Sequence, residues 1–262
     1  MTMKDKLTII KVGGKIVEEE ASLKALLADF AGIGGFKLLV HGGGRSATKL
    51  ASDMGVETKM VDGRRVTDDE MLRIVTMVYG GLVNKNIVAG LQALDVDALG
   101  MTGADMNILR SRKRPVKEVD YGWVGDVESV NGEALASLLR AGIVPVIAPL
   151  THDKQGHLLN TNADTMAGET AKGLAPYFDV ELVYCFEKPG VLRDENDDAT
   201  VIPLIDRELF GKLKDEGIVS GGMLPKLENA LDAIDLGVTK VIITKASAIG
   251  DLTSGTHIVA KI

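Results

Sequence analysis

Three short stretches of the chain repeat one arrangement, in which an apolar run or loop leads into adjacent glycines and a cation. They are Lys11-Val12-Gly13-Gly14-Lys15, His41-Gly42-Gly43-Gly44-Arg45 and Ser220-Gly221-Gly222-Met223-Leu224-Pro225-Lys226. Glycines carry no Cβ, so their N–H groups can come close to a ligand, and a helix opening just after them adds the positive end of its dipole. Such places suit anions, phosphate above all. In the third stretch Pro225 fits a first helical turn, which sets the helix start near Met223 and Lys226 close to its positive end. A cation there costs about 0.3–1 kcal/mol, and an anion in the site would remove that cost. A lone lysine in such a place more often points to solvent. Two further glycine–cation stretches in the same chain shift the reading towards a phosphate site.

Asn160-Thr161-Asn162-Ala163-Asp164 is the next constellation. Asn162 is placed to cap a helix beginning at Ala163, and Asp164 then stands in the first turn, where a carboxylate is favoured by the dipole. The same Asp164 could instead hold two active-site lysines, with Asn160 reaching a ligand. Other nucleotide motifs are missing: there is no G-x-x-x-x-G-K-[ST], no H-R-D and no D-F-G. Gly42-x-Gly44-x-x-Ala47 does follow a strand-like run and open a helix, with Asp62 near the spacing of a ribose-binding acid. An NAD(P)-dependent dehydrogenase is therefore a competing reading, although it leaves Lys11 and Lys226 without a task.

Residues resembling metal sites fail on spacing. In the acidic run 194–198, Ala199 stands where a calcium loop needs glycine and Ile205 where it needs its closing glutamate. His152 and His157 flank a turn and have no partners at zinc spacing. No metal ligands are assigned. The basic run 110–114 lacks interleaved aromatics and reads as a solvated hairpin arm. Cys185, inside an apolar run, reads as inert core.

The elements that must position these residues alternate from end to end. Compact apolar runs at 7–12, 37–40, 143–148, 182–186 and 241–244 suit strands buried on both sheet faces. Between them, 18–30, 45–54, 68–94, 132–139, 163–174, 206–216 and 224–236 read as amphipathic helices, the third opened by a capping box of Thr67 and Glu70. This alternation predicts an α/β sandwich around a mainly parallel sheet. Residues 59–66 and 101–130 interrupt it with turn signals and short β-prone pieces, as hairpins do. We expect a first lobe, 1–174, with this extra β-structure beside a binding site, and a more regular lobe, 175–262, sharing one continuous sheet.

Composition narrows the partners. The chain has 262 residues, 30 Lys and Arg against 37 Asp and Glu, and a net charge of −7. That balance argues against nucleic acid or an anionic membrane as the main partner. The near-apolar stretch 142–150 is far short of the ~20 residues of a membrane helix. A single cysteine excludes an internal disulfide and fits the reducing cytoplasm.

Taken together, these residues resemble the amino acid kinase family over nearly the whole chain. The match runs through IIKVGG (9–14), LVHGGG (39–44), DGRRVT (62–67), VNK (83–85), GMTGADMN (100–107), GDVESVN (125–131), NTNADTMAG (160–168) and GGMLPKLENA (221–230). The resemblance implies a three-layer αβα sandwich whose N-terminal half takes an acyl amino acid and dimerises, and whose C-terminal half takes ATP. It further implies ATP-dependent phosphorylation of the γ-carboxylate of N-acetyl-L-glutamate, or a closely related N-acyl-glutamate, in arginine biosynthesis. Carried over by motif, Lys11 and Lys226 would stabilise the transferring phosphoryl group, with Asp164 orienting both. Gly43, Gly44, Arg65 and Asn160 would bind the acyl-glutamate. Gly13, Gly14, Glu187, Gly190, Leu192, Ser220, Gly221 and Gly222 would serve ATP, with Mg²⁺ held mainly by the nucleotide phosphates. The chain departs from the family's pattern at Lys15, where a small or apolar residue is usual, and at Phe186 and Glu187, where a small hydroxyl residue and Asp are usual; Lys188 is unusual too. With Lys11 so near the start and no room ahead of it for a hexamer-building helix, a homodimer with little or no arginine feedback is expected. A family member with a different carboxylate acceptor and a non-catalytic metabolite sensor are the other readings left open.

Overall fold

The structure is a computed structural model and describes residues 4–61, 63–221 and 223–262. In chain order the strands are β1 (Lys6–Val12), β2 (Phe36–His41), β3 (Met60–Val61), β4 (Arg64–Arg65), β5 (Ala98–Met101), β6 (Leu109–Lys113), β7 (Gly125–Val130), β8 (Val144–Ile147), β9 (Leu150–His152), β10 (Leu158–Asn160), β11 (Asp179–Phe186), β12 (Leu204–Ile205), β13 (Lys240–Lys245) and β14 (Thr256–Ile258). The helices are α1 (Gly14–Glu18), α2 (Glu20–Gly32), α3 (Gly44–Asp53), α4 (Asp69–Val75), α5 (Asn84–Gln92), α6 (Gly132–Arg140), α7 (Ala163–Leu174), α8 (Arg207–Asp215) and α9 (Met223–Asp235).

Eight strands form one sheet in the order β12-β14-β13-β11-β1-β2-β8-β5. From β13 to β5 every neighbouring pair is parallel, and β14 runs antiparallel to β13 at one end. The five apolar runs of the sequence are β1, β2, β8, β11 and β13, central strands buried on both faces as parallel sheets require. Strand alternation deals β1 to two cores. Leu7 and Ile9 join α6–α9 on one face, while Ile10 and Val12 join α1–α5 on the other. That is the expected αβα layering. Lys11, two residues beyond Ile9, accordingly faces the α7 and α9 layer.

The β-prone stretch 101–130 supplies β6 and β7, and β9 and β10, which lie outside it, complete a separate four-stranded sheet, β10-β9-β6-β7; the stretch 59–66 forms the small hairpin of β3 and β4. The basic run is one arm of the β6–β7 hairpin, as expected. There Arg114 pairs with Asp126 and Arg110 faces Glu128 at 3.7 Å, so much of its charge is neutralised locally.

Residues Asp69–Gln92 form one continuous helix whose middle, Thr76–Val83, widens into a π turn. By length and composition this helix is apolar enough to cross a membrane, with a mean hydropathy of 1.3 over its most apolar window. Here Met71, Ile74, Val75, Val78, Ile87 and Leu91 are instead spent on the core of one sheet face. Two local expectations are corrected. The cap of α4 is Asp68, which accepts from the Met71 N–H at 2.8 Å, while the Thr67 hydroxyl accepts from Asn160 and donates to the Arg65 carbonyl. The helix expected over 18–30 is broken at Glu19, whose extended backbone separates α1 from α2.

Candidate active site

The first two glycine stretches are the C-terminal exits of the neighbouring strands β1 and β2. They lie against each other: the Gly42 N–H donates to the Val12 carbonyl at 2.9 Å, and a Cβ on Gly42 would stand 3.2 Å from the Gly14 nitrogen. Gly43 is required by another neighbour, since its Cβ would meet the Tyr79 ring at 2.9 Å. Beneath the second loop, fully buried His41 is fixed at both ring nitrogens. Asn84 Nδ2 donates to Nε2 at 3.1 Å, which leaves the proton on Nδ1 to bond the Gly42 carbonyl at 2.7 Å. Burial pushes the His41 pKa down to about 4, opposed by the Gly42 bond and helped by the Lys85 charge.

Of the two lysines singled out from the sequence, Lys11 pairs with Asp164, while Lys226 feels that carboxylate's charge without an ion pair to it among the described residues. Lys11 Nζ lies 2.7 Å from Asp164 Oδ1, with 9% and 22% of the two side chains exposed. Asp164 stands in the first turn of α7, whose cap is Asn162 as expected, its side chain accepting from the Asp164 and Thr165 N–H groups. Lys226 comes from the first turn of α9. Burial lowers its pKa, the Asp164 charge opposing and the Lys11 charge adding to the fall. Its Nζ sits 4.0 Å from the centroid of the Phe186 ring, and Lys11 Nζ is 5.5 Å from the same centroid. Cys185 next to it is buried, its thiol pushed up to about 12 by burial, which makes it the inert core residue expected.

Arg65, Gly43, Gly44 and Asn160 line one cavity of about 190 Å³. Arg65 is 8% exposed, and its guanidinium donates to the Gly44 carbonyl (2.7 Å) and the Thr48 hydroxyl (2.9 Å). Among the described residues it has no carboxylate partner, and the acceptors it reaches there are neutral. Asn160 donates to the Thr67 hydroxyl at 2.9 Å, tying β10 to the hairpin that carries Arg65. An adjoining cleft of about 740 Å³ shares Gly44, Arg65 and Met60 with that cavity. Gly13, Gly14, Phe186 and Glu187 line it.

The remaining nucleotide-site expectations are dispersed. Glu187 faces Lys15 at 3.1 Å and Arg45 at 3.8 Å, joining the exits of β11, β1 and β2 across the cleft. Gly190 has a packing reason, because its Cβ would meet Thr256 Oγ1 at 2.7 Å, and Leu192 is bridged to Val201. Neither lines the cleft. Ser220 and Gly221 lead into α9, Gly221 with a left-handed φ of 53°. Gly222 and Asp62 lie outside the described residues. The acidic run 194–198 is more than a solvated loop, for Asp198 pairs with Lys188 at 3.3 Å and Lys245 at 2.8 Å. Tyr79 was not singled out from sequence, and Phe186 was noted only as a departure from the family's pattern. An aromatic inside a helix, as Tyr79 is, or at the end of an apolar strand, as Phe186 is, looks like ordinary core, so only their contacts mark them.

Comparison with known proteins bears on the same residues. The sequence model described as the Amino acid kinase family matches residues 6–245. An acetylglutamate kinase of Phocaeicola vulgatus is 70% identical over 256 residues, covering 98% of this chain and 99% of that protein. An acetylglutamate kinase of Bacteroides thetaiotaomicron is 68% identical with the same coverage. Among solved structures, the carbamate kinase of Giardia superposes with a TM-score of 0.73 over 100% of both chains, at 13% identity, a likeness of fold.

Proposed function

The chain belongs to the amino acid kinase family, and on that premise we infer that it transfers the γ-phosphoryl group of ATP to the γ-carboxylate of N-acetyl-L-glutamate, in arginine biosynthesis. The observation that carries this reading is the meeting of Lys11, Lys226 and the Phe186 ring beside Asp164, next to a cavity holding a buried Arg65 with no carboxylate partner among the described residues. Dehydrogenase chemistry leaves that cluster idle and falls with the family assignment.

The chemistry needs little from the protein beyond placement and charge. A substrate carboxylate is ionised at pH 7 and is itself the nucleophile, so no general base is required. Its oxygen bonds to the γ-phosphorus as the bond to the bridging oxygen breaks and ADP leaves. Negative charge spreads over the equatorial oxygens in between, and fixed cations and N–H groups stabilise it. We assign that task to Lys11 and Lys226, with Asp164 holding Lys11 in place. Arg65 clamps a substrate carboxylate bidentately, and Gly43, Gly44 and Asn160 complete that cavity. Gly13, Gly14 and the start of α9 take the nucleotide phosphates. Among the described residues no three acidic, His or Cys side chains converge. When ATP is bound, Mg²⁺ would be held mainly by the nucleotide phosphates and would shield their charge.

We further propose that residues 1–174 form the acyl-amino-acid lobe and 175–262 the ATP lobe, and that the enzyme is a cytoplasmic homodimer. The dimer reading is supported by β5, an edge strand, and by the exposed apolar side chains of Leu99 on it and Leu94 just ahead of it. ADP release, followed with a coupled assay, tests the function: it should depend on added N-acetyl-L-glutamate and not respond to free glutamate. Release with neither preference would reject the assignment.

A further inference from the structure

We propose that Phe186 is a positioning residue for phosphoryl transfer, its ring face holding the Lys226 ammonium at the cleft until the transferring group takes it over. This rests on the reading that Lys226 acts on that group. Lys226 Nζ lies 4.0 Å from the ring centroid, in cation–π range, and Lys11 Nζ lies 5.5 Å away. Asp164 is engaged by Lys11, and among the described residues Lys226 makes no ion pair. The ring thus adds to the Asp164 charge in offsetting the repulsion between two half-buried or buried ammonium groups.

The ring is itself braced. Tyr184 stacks against it at 6.1 Å between centroids and 17° between planes, and the Tyr184 hydroxyl donates to the Asp164 backbone carbonyl at 3.2 Å. Alternation along β11 puts Tyr184 and Phe186 on the α7 and α9 face, the face to which β1 turns Lys11. Ring, carboxylate and both lysines are therefore registered by one pair of adjacent strands. A carboxylate in place of Phe186 would grip Lys226 in a charge-assisted bond that transfer would have to break. An aliphatic side chain would leave Lys226 free to swing to solvent. The π face keeps the ammonium charged, desolvated and easily surrendered.

The test replaces Phe186 with its 4-fluoro, 3,5-difluoro and 3,4,5-trifluoro analogues, which drain the π face while nearly preserving shape. We expect kcat to fall stepwise, about tenfold over the series (about 1.4 kcal/mol), with little change in KM for the acyl amino acid. A flat kcat across the series overturns the proposal, since packing alone is blind to fluorination. In the ligand-free protein, NMR should find the Lys226 ε-methylene protons shifted upfield by the ring and returned to ordinary values in Phe186→Leu. Ordinary values in the unsubstituted protein overturn the contact itself. If the unsubstituted protein phosphorylates no N-acyl-glutamate, the functional reading fails and takes the kinetic half of this proposal with it. The ring-current shift then decides the contact alone.

Discussion

Replacing Asp164 by Asn should cost stability as well as activity, by an amount the burial of the pair sets. Lys11 Nζ is 2.7 Å from Asp164 Oδ1 and its side chain is 9% exposed, so removing the carboxylate strands an ammonium that water barely reaches. Breaking a fully buried pair in this way costs about 3–5 kcal/mol. Asp164 is 22% exposed, and solvent takes over part of its role, which brings the expected loss to about 2–3 kcal/mol. For a chain of this size each kcal/mol moves the melting midpoint by about 2–4 °C, so the variant should melt about 4–12 °C lower. Lys11→Met in the Asp164→Asn background removes the stranded charge and should recover most of the loss, although activity stays abolished. Urea unfolding of the two single variants and the double variant closes the cycle. A loss below about 0.5 kcal/mol for Asp164→Asn, or a double variant no more stable than it, would refute the reasoning.

Three further outcomes are expected. Lys226→Ala should lower kcat far more than it raises KM for either substrate, and steady-state kinetics showing the reverse would remove its role in the transition state. Gly43→Ala drives a Cβ to 2.9 Å from the Tyr79 ring and should cost about 1–3 kcal/mol with a raised KM for the acyl amino acid; an unchanged KM and midpoint would show that the ring yields freely. His41 is held neutral in the fold with its pKa lowered to about 4, below the unfolded value of about 6.5, so the native state resists protonation. That stabilisation is whole above pH 6.5 and is lost as pH falls towards 4, by about 3 kcal/mol. His41→Gln should lack this part of the pH slope, and identical slopes for both proteins would contradict it.

Much of this was written locally in the chain. The apolar runs gave the central strands because parallel strands are buried on both faces, and the helix over 163–174 began and ended where its Asn162 cap and apolar period placed it. The glycines with Lys11 and Lys226 stood out because their residue types fit anions at those spacings, Asp164 as a carboxylate able to hold those lysines and Asn160 as a polar group ahead of the cap, while Arg65 came with the resemblance to the family. Local signals failed where two groups competed for one partner, as at Thr67, whose hydroxyl serves the Arg65 carbonyl and Asn160 instead of capping a helix. They were silent on long-range pairings. Nothing near residue 186 announces that its ring will lie under Lys226, and nothing near residue 15 announces Glu187. The short strands β5, β9, β10, β12 and β14 were missed too, since pieces of two to four residues carry too little pattern to read.

The central claim is that a γ-carboxylate of an N-acylated glutamate receives the phosphoryl group, and trapping the product with hydroxylamine tests it most directly. With Mg²⁺ and ATP, the purified protein would be offered N-acetyl-L-glutamate, N-succinyl-L-glutamate, glutamate and aspartate in turn. The account predicts a hydroxamate from N-acetyl-L-glutamate and none from glutamate or aspartate, with the succinyl arm measuring how far the acyl group matters. A hydroxamate from free glutamate or aspartate in preference to N-acetyl-L-glutamate, or none from any acceptor with the folded protein, would contradict it.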